Sequence, residues 1–463
     1  MLFSSVTFLY YFLPAVLLLY YAVPYKLKNA VLLLASLVFY AWGEPVYVFL
    51  MLASIACGYV LGRLIEKHRG EKQAKTWLIV SVVFNLALLG FFKYTDFFIS
   101  NFNAATGLSV PLLNVILPIG ISFYTFQILS YTVDVYRGDV AAQRDPLKLA
   151  TYISFFPQLI AGPIVRYRDV ATQIDERELS FYQTSRGVRR LIIGLAKKVL
   201  IANQLGELCE IFRVSPDKSV AYFWLYAVAF TLHVYFDFSG YSDMAIGLGK
   251  IFGFEFTENF RYPFISRSIS GFWRRWHISL GSWFRDYVYI PLGGNRCGEG
   301  RQIINLLVVW SLTGLWHGAA WNFVIWGLFF AVFLIGEKLL WGDALSKVPI
   351  LPHIYVIVIT LVSFVIFDSR SLPEMLHYVG AMFGAGDYPL ISTEFLYYLR
   401  SYWMLIICAI IGATPFCKLF FRENSFGITL KTLFETVFLI ILLLLVTAYL
   451  ADGSFNPFLY FRF

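Results

Sequence analysis

The sequence predicts an all-α protein that crosses a membrane many times. Of its 463 residues, 59% are hydrophobic and only 14% are charged, whereas soluble domains average roughly 25% charged residues. Long apolar runs recur along the chain and exceed the length of a membrane β-barrel strand. At about 20 residues per crossing, the chain accommodates roughly ten to twelve transmembrane or re-entrant helices. This composition excludes a water-soluble enzyme, a disordered chain and a protein that binds nucleic acid through basic patches.

The first 140 residues predict a series of spans with one consistent orientation. Apolar runs occur at 6–23, 30–42, 46–62, 77–92 and 111–135. The start MLFSS carries no basic residue, unlike a cleavable signal peptide. Five basic residues within the thirteen of segment 63–75 mark that loop as cytoplasmic. We therefore expect the N-terminus outside. The formal charge of +8 fits such an orienting role, and attraction of an anionic substrate is the alternative.

The middle of the chain predicts broken helices. Residues 148–300 mix short apolar stretches with Arg, Asp, Pro and Gly. Charged or irregular backbone at membrane depth is tolerated only where it is buried in protein or lines a wet cavity. We therefore expect broken, tilted or re-entrant helices around an internal cavity. Three plain apolar runs complete the chain, at 352–367, 396–415 and 430–450. Basic residues between the last two place that loop inside and the C-terminus outside.

A histidine within a charge-free stretch is the strongest candidate for chemistry. His317 lies mid-way in residues 302–336, which contain no Asp, Glu, Lys or Arg. An ionisable group in such a segment is a functional hypothesis by default, and burial keeps an imidazole neutral and basic. The alternative is a core histidine bonded to a carbonyl or a neighbouring helix. Gly314 and Gly318 favour function, because they let another backbone or a ligand approach closely.

Arginines and tryptophans alternate around a second histidine, His277, in the segment FWRRWHISLGSWFRDYVY. This mixture suits the membrane interface, where Trp sits at headgroup level. It equally suits a pocket for a phosphorylated ligand. The candidate substrate-binding residues beside the two histidines are Arg274, Arg275, Trp276, Trp316 and Asn322.

Two further groups are less specific. His233, Asp237 and Asp243 lie within eleven residues of an apolar segment, where unpaired charges are costly. Their spacing matches no zinc pattern such as H-E-x-x-H, so we predict no metal site. Paired polar groups lining a cavity are favoured, with Asp237 as a candidate for substrate binding. The terminal segment NPFLYFRF is too short to span, and an aromatic belt anchor is its simplest interpretation.

Several long motifs together resemble the membrane-bound O-acyltransferase family. In the family's order they are MLFSSVTFLYYFLP, FYAWGEP, FFPQLIAGPIVR, HVYFDFSGYSDMAIG, NFRYPF, FWRRWHISLGSWFRDYVYIPLGG and LTGLWHG. The likeness covers most of the chain. It is greatest to the bacterial branch with the alginate O-acetyltransferase membrane subunit and its peptidoglycan and cellulose relatives. The D-alanyl transfer protein of teichoic acid modification is a more distant cousin. Eukaryotic lipid-modifying relatives typically carry Asn at the position of His277.

The resemblance implies helices ringed around a central funnel-shaped pore, with the acyl donor entering from the cytosol. His317 matches the family's catalytic histidine, His277 the second histidine, and Tyr460 the tyrosine of an aromatic C-terminal motif. Neutral His317 would take the Tyr460 proton as the phenol attacks a thioester. An acetyl-tyrosine stays nearly as activated as a thioester, because phenol and thiol leaving groups have pKa values of about 10 and about 8.5.

The resemblance thus implies a single membrane-embedded acyltransferase domain, 1–463. Its expected parts are N-terminal helices 1–140, a catalytic core 148–341, C-terminal helices 350–450 and an extracytoplasmic aromatic tail 454–463. It would pass an acetyl group from acetyl-CoA to an exported polysaccharide such as alginate, peptidoglycan or cellulose, with no cofactor.

The expected partners are acetyl-CoA, an extracytoplasmic SGNH-type O-acetyltransferase, the polysaccharide and membrane lipids, without nucleic acid. The expected location is the inner cell membrane, with both termini outside. Two alternatives stay open: transfer of a D-alanyl or longer acyl group by the same fold, and a transporter or flippase for a lipid-linked sugar.

Overall fold

The computed structural model describes residues 1–416 and 428–453, and the side chains of all of these except 428–431. Every regular element in those ranges is a helix. The α-helices, numbered here in chain order, are α1 (Leu13–Ala22), α2 (Lys28–Ala41), α3 (Tyr47–Lys67), α4 (Lys72–Thr106), α5 (Ile121–Arg137), α6 (Pro146–Ser154), α7 (Phe156–Leu159), α8 (Tyr167–Asp175), α9 (Phe181–Ala196), α10 (Asn203–Val214), α11 (Val220–Ile251), α12 (Ile269–Trp273), α13 (Ile278–Phe284), α14 (Glu299–His317), α15 (Trp321–Gly336), α16 (Gly342–Ser346), α17 (Leu351–Asp368), α18 (Leu372–Met382), α19 (Thr393–Gly412) and α20 (Ile428–Ala451).

Seven helices within the described ranges are long and apolar enough to cross a membrane. They are Tyr47–Lys67, Lys72–Thr106, Val220–Ile251, Trp321–Ser346, Leu351–Asp368, Thr393–Gly412 and Thr432–Ala451. The predicted all-α, multi-pass fold is therefore confirmed. The funnel-shaped pore and the total of ten to twelve helices stay predictions, as does the subdivision of the chain into four parts.

The chain forms two compact units, Met1–Leu191 with Ser242–Thr257, and Ile192–Tyr241 with Glu258–Phe463. In the first unit α3 packs against α4 and α5. Small residues allow the close approach of α3 and α5. A Cβ at Gly58 would lie 2.9 Å from the Ile128 side chain, and one at Gly62 would lie 2.8 Å from the Tyr131 side chain. A bulkier residue at either position would therefore force the Ile128 or Tyr131 side chain to move.

Two boundaries in the first unit differ from those expected. The predicted span at 77–92 is part of a 35-residue helix, α4, which is about 52 Å long at 1.5 Å per residue. The expected start of the next span at 111 is wrong, because α5 begins only at Ile121. Pro118 and Gly120, the latter with φ +78°, hold the preceding chain out of a helix.

The second unit contains the broken helices that the sequence predicts. The short α12 and α13 lie between α11 and α14. Wider π-helical turns occur at Lys197–Ala202, Arg285–Tyr289 and Glu337–Trp341. Such turns are rare and frequently lie at functional sites. In this unit α14 and α15 form a tightly packed antiparallel pair, and α15 also contacts α12 and α17.

Candidate active site

His317 is the last residue of α14, where a close helix pair ends. Gly318 follows with extended backbone, and α15 begins at Trp321. A Cβ at Gly314 would lie 2.2 Å from the Phe323 carbonyl oxygen, and a Cβ at Gly318 would lie 2.1 Å from the Phe323 ring. The sequence left open whether these glycines admit a backbone or a ligand. Both lie against α15, so their small size serves helix packing next to His317.

Aromatic rings surround the half-buried imidazole of His317. Its centroid lies 5.0 Å from Trp316, 5.0 Å from Trp326 and 5.3 Å from Phe367, all with edge-on geometry. The Phe367 carbonyl accepts a hydrogen bond from the Asn322 side-chain amide at 2.9 Å. These contacts hold the ring in an apolar environment, where electrostatic interactions are stronger than in water.

His277 lies between α12 and α13 with an unusual backbone conformation. Its φ of +44° and ψ of +51° are left-handed, which is uncommon for a residue other than glycine. Conformations of this kind cost about 1–3 kcal/mol and cluster at functional sites. The side chain is 1% exposed, and its ring lies edge-on to Phe238 at 4.6 Å.

The fold brings the two histidines together, although they are 40 residues apart in sequence. Their ring centroids are 6.5 Å apart, which is too far for a direct N–H···N hydrogen bond. Trp316 contacts both rings, at 5.8 Å from His277 and 5.0 Å from His317. Burial lowers the pKa of His277 below its usual value, and the neighbouring His317 lowers this pKa further. His277 is therefore a neutral imidazole at physiological pH.

A buried asparagine contacts His277 from the segment after α11. Asn259 Oδ1 lies 3.2 Å from His277 Nδ1. The same oxygen accepts hydrogen bonds from the backbone N–H of Ser279 at 3.1 Å and from its hydroxyl at 2.9 Å. The Asn259 carbonyl also accepts from the Ile278 N–H at 3.0 Å. Asn259 belongs to the motif NFRYPF, but its role was not predictable from the sequence, since a single amide carries no signal of its partners.

The candidate substrate-binding residues lie in different surroundings. Trp276 is buried and stacks on Phe272 at 5.5 Å. Arg275 is half-buried and donates to the Arg261 carbonyl at 3.1 Å. Arg274 is exposed. Contact of these side chains with substrate stays a prediction, as it does for Trp316 and Asn322. Tyr460 lies outside the described residues.

The three titratable residues of α11 that the sequence analysis singled out, His233, Asp237 and Asp243, all have partners. His233 Nδ1 donates to the Ala202 carbonyl at 2.6 Å. Asp237 forms an ion pair with Lys198 at 2.5 Å, and both side chains are 2% exposed. Asp243 forms an ion pair with Arg190 at 2.8 Å. Among the described residues, His, Cys, Asp and Glu form no group of three or more that could hold a metal ion. Any substrate contact of Asp237 stays a prediction.

A cationic cavity of about 680 Å³ lies at the opposite end of α14 from His317. Its lining includes Arg267, Arg274, Lys338 and Gln302. The Glu337 carboxylate also lines the cavity. It accepts hydrogen bonds from the backbone N–H groups of Ile269 and Ser270 at the start of α12. From Gln302 to His317 the helix rises about 22 Å. Arg267 and Lys338 were not among the predicted site residues, although Lys338 closely follows the charge-free stretch.

These features define a multi-pass helical membrane protein with two histidines held together among aromatic rings. The chain belongs to the membrane-bound O-acyltransferase family, which it matches over residues 4–368. The resemblance drawn from its motifs is thereby confirmed, and the protein is an O-acyltransferase.

Several curated proteins are similar over most of this length. The probable alginate O-acetylase AlgI of Azotobacter vinelandii is 43% identical over 396 residues, covering 84% of this chain and 79% of that protein. The probable alginate O-acetylase AlgI of Pseudomonas putida is 38% identical over 485 residues, covering both chains completely. The peptidoglycan O-acetyltransferase of Helicobacter pylori is 34% identical over 462 residues, covering 90% of this chain and 87% of that protein.

Proposed function

We propose that this O-acyltransferase moves an acetyl group from cytosolic acetyl-CoA across the cell membrane, for O-acetylation of an exported polysaccharide. The observation that carries the proposal is the pair His277 and His317, 6.5 Å apart among aromatic rings in a chain of this family. The relatives named above act, by their names, on alginate and on peptidoglycan. Because these relatives are named for acetyl transfer, they support an acetyl group over a D-alanyl group and an enzyme over a transporter.

His317 is the general base in this proposal. Such a base contributes about 10²–10⁴-fold to a rate. The aromatic rings that contact His317 would exclude water and so protect a reactive ester from hydrolysis. They belong to Trp316, Trp326 and Phe367. His277, neutral and fully buried, positions the donor or His317 rather than acting as the primary base.

The cationic cavity would receive the phosphate groups of acetyl-CoA. Arg267, Arg274 and Lys338 converge on it, and Arg and Lys are the usual ligands of phosphate. The acid in the lining, Glu337, is engaged by two backbone N–H groups. A donor anchored there would have to extend along α14 to bring its thioester to the histidines.

Tyr460 accepts the acetyl group first. Its hydroxyl oxygen attacks the thioester carbonyl carbon while His317 takes the hydroxyl proton. The new C–O bond forms, the C–S bond breaks, and the proton passes to the departing thiolate, which leaves as CoA. An extracytoplasmic SGNH-type partner would then take the acetyl group from the phenol to a sugar hydroxyl. The location that fits this route is the inner membrane, with both termini outside and the basic segment 63–75 in the cytosol.

The test is His317→Ala in a host that lacks its own copy of the gene. Ester-linked acetyl on the exported polymer should fall at least about 10²-fold, the low end of general-base effects, with the protein still present in the membrane. His353→Ala is the matched control, because His353 lies on α17 outside the histidine pair, and it should acetylate normally. Normal acetylation by His317→Ala would overturn the proposal.

A further inference from the structure

Asn259 holds His277 from two sides. This asparagine is 0% exposed and precedes His277 by 18 residues. Its side-chain oxygen lies 3.2 Å from His277 Nδ1, and its backbone carbonyl accepts from the N–H of Ile278, the next residue after the histidine, at 3.0 Å. One residue therefore restrains both the imidazole and the backbone on which it is mounted.

The hydrogen bonds identify the tautomer of His277. The Asn259 side-chain atom in question accepts from the Ser279 backbone N–H at 3.1 Å, and a backbone N–H can only donate. The atom is therefore the amide oxygen, which in turn can only accept. His277 Nδ1 must then carry the proton and donate it to Asn259. In a neutral imidazole this leaves the lone pair on Nε2.

We propose that Asn259 is a positioning residue for acyl transfer, which fixes the ring orientation and the Nε2 lone-pair tautomer of His277. This inference rests on the proposed function, since it requires His277 to act at the reacting group. With Nε2 as an acceptor, His277 can receive a hydrogen bond from the attacking hydroxyl. The opposite tautomer would present a donor at Nε2 and could not accept this hydrogen bond.

The surroundings explain why such a restraint is needed. The left-handed backbone of His277, with φ +44°, is not a conformation that the residue adopts readily by itself. Phe238 packs against the ring edge-on at 4.6 Å and limits its position, but an aromatic face does not select a tautomer. Ser279 contributes two donors to Asn259 Oδ1, which hold the oxygen in place and prevent the amide from rotating.

A double-mutant cycle tests the inference in the purified full-length protein. The readout is release of CoA from acetyl-CoA in the presence of the SGNH-type partner and the polysaccharide, which remove the acetyl group from the enzyme so that repeated turnover gives kcat and KM. Asn259→Ala should lower kcat about 10–100-fold, by analogy with the loss seen when a group that orients a metal-bound imidazole is removed, with little change in KM. Because Asn259 acts through His277, the combination with His277→Ala should be no slower than His277→Ala alone, within about 2-fold. Asn85→Ala is the matched control, because Asn85 is buried in the other unit. Any decrease that it causes in kcat should be independent of His277, so the double variant should show the product of the two single decreases.

Asn259→Asp distinguishes a positioning role from a purely structural one, because it should shift the pH profile of the reaction. It keeps the acceptor and adds a charge beside Nδ1–H, which favours the imidazolium form. The titratable neighbour of His277 on α14 is His317, and the contact from α11 is Phe238. The acid limb of the pH profile of kcat/KM should therefore move to higher pH.

Two results would count against these ideas in distinguishable ways. In the first, His277→Ala and His317→Ala both lose activity, but Asn259→Ala slows the His277→Ala enzyme further and Asn259→Asp does not shift the pH profile. The positioning role is then wrong, and the proposed function stands. If both histidine variants keep full activity, the proposed function fails and the inference fails with it.

Discussion

Replacing Gly314 by alanine perturbs the contact that places His317. The added Cβ would lie 2.2 Å from the carbonyl oxygen of Phe323 and 3.0 Å from its carbonyl carbon. Carbon and oxygen approach each other no closer than about 3.3 Å even in favourable C–H···O contacts. The backbone of α15 must therefore retreat by about 1 Å. Because it belongs to rigid helix backbone, this carbonyl cannot rotate aside as a flexible side chain would.

The retreat should affect stability and catalysis together. Overpacking of this kind costs about 1–3 kcal/mol. Since α15 also carries Trp326, whose ring lies 5.0 Å from His317, a shift of about 1 Å changes the position of the imidazole relative to the substrate. Misplacement by that distance can cost about 10²-fold in rate. We therefore expect Gly314→Ala to melt at a lower temperature and to release CoA from acetyl-CoA about 10²-fold more slowly.

Gly300→Ala is the matched control on the same helix. A Cβ at Gly300 would meet nothing within 4 Å, and alanine is favoured over glycine in helices by up to about 1 kcal/mol. This variant should keep the parental rate and at least the parental melting temperature in detergent. Parental rate and melting temperature for Gly314→Ala would refute the reasoning, because the close contact of α14 with α15 would then not determine where His317 lies.

Three further predictions concern the relay and the orientation of the chain. His277→Ala should lower CoA release strongly but less than His317→Ala, because it removes positioning and not the base; the reverse order in the same assay would exchange the two roles. Tyr460→Phe removes only a hydroxyl, so it should bind acetyl-CoA normally yet form no labelled acetyl adduct by mass spectrometry; an unchanged level of polymer acetylation would exclude the relay. Single cysteines placed in a cysteine-free background should react from the cytosolic side in segment 63–75 and from the outside at residue 463, and labelling of the segment from outside would reverse the topology.

Hydropathy predicted the long helices well, because it is a local property. The expected span at 352–367 is α17, Leu351–Asp368, and the run at 430–450 is α20, Ile428–Ala451. The start of α5 was mispredicted since the residues before it are apolar as well. The residue at which α5 begins is determined by backbone conformation, through Pro118 and the left-handed Gly120. Apolar composition describes the environment of a segment and not its conformation.

The site was predictable in part. His317 stands out because a titratable residue in a charge-free stretch is costly without a purpose. Its neighbours in space were less accessible to sequence reasoning. Asn322 was a candidate for substrate binding, yet its amide donates to the Phe367 carbonyl, a partner 45 residues away in sequence. Gly314 was correctly expected to allow a close approach, and only the structure identified α15 as the group that approaches.

The sequence by itself determined that this protein is helical, spans a membrane several times and belongs to a family of O-acyltransferases, because apolar content and motif order are properties of the linear chain. Only the tertiary structure decided that the ring centroids of His277 and His317 lie 6.5 Å apart, and that Asn259 Oδ1 lies 3.2 Å from His277 Nδ1. Those relations join residues 40 and 18 positions apart. They depend on how α11 to α15 pack against one another, and the geometry of that packing arises from many weak contacts that no single motif encodes.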